Sequence, residues 1–172
     1  MFFDSLKRKS LKRNLEKIID KGNGPQPSSS LKNAGILLDY TAFQDVSALK
    51  QMLQDLKKGV NYEVICHVKN LKGEENLTEG KFDDKAITTQ MKIKDAGLKN
   101  FVEKPFDLLI SYYTSENLPL HCATALSKAK FKVGLPTAGT AVNDLVLNVP
   151  LGDVATFREE LKKYLKILNR ID

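Results

Sequence analysis

Tryptophan is missing from this chain, and histidine and cysteine occur only twice each. No apolar run comes near the ~20 residues that a membrane-spanning helix needs. Cys66 and Cys122 stand far apart inside the apolar runs YEVICHV and LPLHCATAL, and neither belongs to a C-x-x-C pair. A disulfide framework is therefore not indicated, and a reduced thiol in such a run packs as a small hydrophobe. His67 and His121 are too few for a metal site visible in sequence, and on a helix His121 and Cys122 point about 100° apart. All four side chains are expected to be buried packing residues. No G-x-G-x-x-G follows a strand-like run and no G-x-x-x-x-G-K-[ST] occurs, so the glycine-rich phosphate cradles are absent and no cofactor or metal is implied. The N-terminus lacks the apolar core and cleavage site of a secretory signal, which makes the cytoplasm the expected compartment.

What the sequence does hold is enough apolar residue for one core, 42% of 172 residues, and an uneven positive charge. The whole chain carries +6. Residues 1–22 contribute Lys7, Arg8, Lys9, Lys12, Arg13, Lys17 and Lys21 against three acids, a net of +4, and leave +2 for the other 150 residues. Over residues 5–20, Leu6, Leu11, Leu15, Ile18 and Ile19 recur at helical spacing and the opposite face is cationic. Gly22, Gly24, Pro25, Pro27 and three serines then read as a linker, so the expected organisation is a basic amphipathic helix (1–22), a flexible linker (23–33) and an α/β domain (34–172).

Beyond Ala34, short apolar runs alternate with helical periods, the pattern of strand–helix–strand units. Residues 34–39, 62–68, 106–113, 131–135 and 145–149 read as strands. Helices are expected between about 44 and 59 with Gly59 at the end, from Pro119 onward, and from Asp153 to Asn169. AITTQMKI (86–93) reads as an edge strand in a polar excursion, with a short helix at 95–103. The fold class is thus a single Rossmann-like three-layer α/β domain with a mainly parallel sheet, preceded by the basic helix.

In such a sheet ligands sit beyond the carboxyl ends of the strands. Asp39, followed by Tyr40 and Thr41, ends the first strand, where a carboxylate can bind a ribose or a metal or simply start the next helix. Thr114, Ser115 and Asn117 precede a helix whose amides can hold an anion, although Glu116 opposes one. With Asp39 and His121 they form the candidate ligand loop; no catalytic set is recognisable.

Residues 107–135, DLLISYYTSENLPLHCATALSKAKFKVGL, resemble the second nucleotide-binding half of heptosyltransferase-type glycosyltransferases, in which a strand, a Gly-Pro loop and an LHLAAAL-like helix follow one another. Leu118 to His121 and Ala123 to Leu126 carry the likeness, while Asn117 and Leu118 stand where an acidic or hydroxyl residue and a glycine are expected. The resemblance implies a nucleotide or nucleotide-sugar ligand. As a whole the chain is similar to an uncharacterised family of small α/β proteins of Bacteroidota, with DLLISYY and AKFKVG as the shared segments; that likeness implies no activity.

The seven basic residues of the N-terminal helix are the candidate polyanion site. The first expectation is a non-catalytic accessory module docking on RNA or the ribosome through this helix, its lysines and arginines following phosphates. An anionic membrane surface is the alternative partner, with Phe2 and Phe3 beside the basic face. A nucleotide or nucleotide-sugar enzyme and a protein partner are further alternatives, as is a helix that packs on the domain with its basic face solvated.

Overall fold

The computed structural model describes residues 2–21, 29–114, 116–137 and 141–172. The glycine- and proline-rich part of the expected linker, residues 22–28, lies outside them, as does Ser115. Helix α1 (Phe2–Asp20) is followed by β1 (Asn33–Asp39), α2 (Val46–Leu56), β2 (Asn61–His67) and β3 (Gly80–Phe82). A single 3-10 turn (Asp84–Ala86), α3 (Ala96–Glu103), β4 (Leu108–Tyr112) and α4 (Leu118–Leu126) come next, then β5 (Lys132–Gly134), β6 (Leu145–Val146) and α5 (Val154–Ile167).

The six strands form one sheet in the order β3-β2-β1-β4-β5-β6, and every pairing between them is parallel. Such a sheet is buried on both faces, which is why β1 is closed to solvent from Ala34 through Asp39. Its side chains alternate: Ile36 and Leu38 join the core under α2 and α5, while Leu37 joins the core under α1, α3 and α4. The architecture is the three-layer α/β domain expected from the alternation of runs.

Local chemistry sets the helix limits. Asp45, Asp95 and Asp153 each accept a hydrogen bond from the amide three residues on, at 3.0, 2.7 and 3.1 Å, and so cap α2, α3 and α5. Gly59, at φ +77°, turns the chain after α2 into β2. In α5, Phe157, Leu161 and Leu165 are the buried stripe, each contributing roughly 1.5–3 kcal/mol of transfer free energy.

AITTQMKI is not a strand. Ala86 closes the 3-10 turn, Ile87 and Ile93 meet in one antiparallel bridge, and between them Met91 takes φ +63° while the Thr88 hydroxyl accepts from the Lys92 amide. The run folds back on itself in a tight loop, and the edge strand is Gly80–Phe82 instead. Strand β6 is also shorter than its apolar run, ending after Val146.

Helix α1 belongs to the layer of α3 and α4. Leu15 is fully buried, Leu11, Ile18 and Ile19 are half-buried against the same core, and the Asn14 amide donates to the Thr89 carbonyl at 2.8 Å. At the amino end of the sheet, Asp107 is 5% exposed and accepts from the amides of Lys32 and Asn33 (3.0 Å each), from Ser29 Oγ (3.0 Å) and from Lys130 Nζ (2.7 Å). Burial pushes its pKa up, but the Lys130 ammonium and the two amides outweigh that and hold it at about 2.

Candidate functional site

Sequential strands run outward from β1 on one side through β2 to β3, and on the other from β4 to β6, so the order reverses between β1 and β4. Beyond the carboxyl ends of these strands lies a crevice of about 290 Å³, with Asp39, Thr41, His67, Lys69, Asp84 and Arg8 in its wall and the start of α4 at one side.

Asp39 is 3% exposed at the end of β1. Its Oδ1 accepts from the amide (3.0 Å) and the hydroxyl (2.5 Å) of Thr41, an Asx-type turn that leads the chain away from the sheet. One strand over, the ring of His67 bridges two segments. Asn117 accepts the Leu120 amide on its Oδ1 at 3.1 Å, the N-cap of α4, and its amide nitrogen therefore faces His67 Nδ1 at 3.0 Å. Since Nδ1 must accept, the ring proton of neutral His67 sits on Nε2 and is donated to Asp84 Oδ1 at 2.7 Å. That hydrogen bond, against the opposing effect of burial, lowers the Asp84 pKa. Both ring nitrogens are thus engaged within the protein, and the imidazole ties the β2 end, the turn after β3 and the start of α4 together.

Helix α1 supplies the remaining wall. With 3.6 residues per turn, Arg8 and Lys12 lie on the side of Leu11 and Leu15 rather than opposite it. Arg8 reaches the crevice and acts through space on Asp84 and Glu116. Lys12 pairs with Glu116 at 3.2 Å, which lowers the Glu116 pKa. Lys9, Arg13, Lys17 and Lys21 are exposed in an i, i+4 row and form no ion pair within 4 Å among the described residues; Lys7 is exposed on the same helix. Six of the seven basic residues are therefore divided between a pair on the crevice side and an outward row, with Lys7 in neither.

Of the candidate ligand loop, Asp39 and Asn117 meet at the crevice, Thr114 is half-buried just after β4, and Ser115 lies outside the described residues. His121 is turned inside, 1% exposed, its ring 5.3 Å from that of Tyr113. Its Nδ1 donates to the Asn117 carbonyl at 2.8 Å, Nε2 has no partner among the described residues, and burial lowers its pKa. Cys66 and Cys122 are fully buried, and burial pushes both thiols up to about 12, which makes them packing groups. Among the described residues no group of three or more His, Cys, Asp or Glu side chains is placed to hold a metal, and no helix is long and apolar enough to cross a membrane. His67, Asp84 and Lys69 were not marked by any motif. The inward turn of Arg8 was legible: it continues the stripe three and seven residues before Leu11 and Leu15.

The strand order and the polar crevice at its reversal define a doubly wound α/β domain with a cationic helix built into one helical layer. The chain belongs to the family described as Family of unknown function (DUF6913), whose model matches residues 7–168. No curated protein and no solved structure matches the chain.

Proposed function

We propose that the protein is a non-catalytic binding module that docks on RNA, the ribosome included, through the outward row of α1. The observation that carries this reading is the exposed spacing of Lys9, Arg13 and Lys17 on a helix anchored by buried Leu15, continued by Lys21 one residue past its end, with no ion pair to any of the four among the described residues. Each like-charged i, i+4 pair works against a helix by roughly 0.2–0.5 kcal/mol, so the two pairs within α1 cost roughly 0.4–1 kcal/mol that phosphates between them would offset. The steps are about 6 Å and the row spans about 18 Å. Glu16 and Asp20 flank it and form no ion pair within 4 Å among the described residues. The described α1 side chains contain no aromatic platform, which favours contact with the phosphate backbone over reading of bases.

Four phosphate contacts imply a salt slope near −3, a loss of roughly 50- to 150-fold in affinity between 50 and 200 mM salt. Fluorescence anisotropy with unrelated RNA sequences is expected to show this loss with little sequence preference, and Gln at all four positions is expected to abolish binding. Equal binding by the fourfold variant would sink the reading. Retention on anionic vesicles instead of RNA would transfer the row to a membrane surface, with Leu6, 53% exposed, beside it.

A nucleotide-sugar enzyme is the second reading, favoured by the crevice at the strand reversal and by the heptosyltransferase-like segment 107–135. Against it, Asn117 spends its side chain on the α4 cap and His67, and Pro119 removes one amide from the helix start. The likeness to small Bacteroidota proteins supports no separate activity.

A further inference from the structure

The walls of the strand-end crevice are unequal in their hydrogen bonds. The wall carries Arg8 and Lys69 against Asp39, Asp84 and Glu116, a formal −1 that Lys12, outside the crevice, offsets through its pair with Glu116. The carboxylates are each met by a protein donor: Asp39 by Thr41, Asp84 by His67, Glu116 by Lys12. Arg8 and Lys69, by contrast, form no hydrogen bond or ion pair among the described residues, so up to eight N–H groups lie in the crevice wall without a protein acceptor. The helix start offers few donors to an anion, because the Leu120 amide is taken by Asn117 and Pro119 has none. Both side chains are exposed, and a guanidinium and an ammonium in the wall of one crevice suit a phosphate. The space, about 290 Å³, is at the low end for small-molecule clefts: it suits a mononucleotide-sized ligand and is too small for a dinucleotide.

We infer that this crevice is a phosphomonoester site, with Arg8 and Lys69 on the phosphate and Leu118 and Pro119 against the remainder of the ligand. The phosphate can come from a free mononucleotide or from the 5′ end of an RNA. In the second case the inference rests on the docking reading above: the outward row of α1 holds the strand and the inward Arg8 of the same helix takes its end.

The test uses the full chain in 50 mM salt and titrates adenosine 5′-monophosphate, adenosine, and one short RNA bearing either a 5′-phosphate or a 5′-hydroxyl. The monophosphate is expected to bind where adenosine does not, and the 5′-phosphate to tighten RNA binding at least tenfold. R8Q should weaken both effects at least tenfold and K69Q several-fold, with circular dichroism showing both variants folded, whereas K9Q/R13Q/K17Q/K21Q should leave monophosphate binding unchanged. Monophosphate binding without RNA binding would uphold the crevice as a free-nucleotide site and remove the RNA reading. A 5′-phosphate effect much stronger than that of the monophosphate would assign the site to RNA ends. Indifference to the phosphate in both pairs of ligands, or wild-type behaviour of both R8Q and K69Q, would overturn the inference.

Discussion

The two ends of the parallel sheet each bury a carboxylate, and they treat it differently. At the amino end Asp107 is closed in by a serine, two amides and Lys130, and every donor comes from the fold itself. At the carboxyl end Asp39 accepts from its own turn, while two cations of the same crevice wall, Arg8 and Lys69, are left without acceptors among the described residues. A polar group answered wholly from within is structural; donors left over beside a crevice are available to a ligand. The same residue types therefore mark stability at one end and recognition at the other.

The comparison breaks first at Asp107. Asp107→Ala leaves Lys130 and two amides without their acceptor, and urea unfolding is expected to show a loss of about 3 kcal/mol. The pH dependence follows from the same group. Its folded pKa of about 2 lies below the ordinary 3.8, so its contribution is complete above pH 4 and disappears as the pH falls toward 2. That contribution is roughly 2 kcal/mol, and a urea midpoint followed from pH 5 to 2 should fall in the wild type and lack this component in Asp107→Asn.

At the other end the effects on stability shrink. Asn117→Ala removes the α4 cap and the donor to His67 Nδ1, an expected loss of about 1–2 kcal/mol. Nitrogen NMR should show the His67 ring losing its fixed Nε2–H tautomer in that variant; an unchanged tautomer would mean Asp84 alone sets it. Glu116→Gln, which breaks only the half-exposed pair with Lys12, and Arg8→Gln should each move stability by under ~0.5 kcal/mol. A larger loss for Arg8→Gln would make Arg8 a structural group like Lys130 and erase the contrast between the ends.

Most of the layered fold was legible because apolar runs without alternation mean a sheet covered on both faces, and those runs became β1, β2, β4 and β5. Residues 86–93 misled because β-branched residues favour strands wherever they occur, while the left-handed Met91 that closes the loop leaves no mark in the sequence. At the site, Asp39 and Asn117 were legible from their positions at a strand end and a helix start. His67 was not: its two partners lie 17 and 50 residues away, and only the register of β1 with β2 and the reversal at β4 bring them together. Arg8 was one cation among seven, and its direction was legible from the phase of the helix, three and seven residues before Leu11 and Leu15.

Helix α1 adheres to its layer through one fully buried leucine and three half-buried aliphatic side chains, far less than α5 or α2. In hydrogen-exchange terms it is the unit expected to open first, ahead of the sheet. A ligand gripped by Arg8 adds its binding free energy to that opening cost, so occupancy of the crevice would slow exchange along α1 by the factor 1 + [L]/Kd. The helix amides are in this sense a reporter for a site that lies mostly outside the helix.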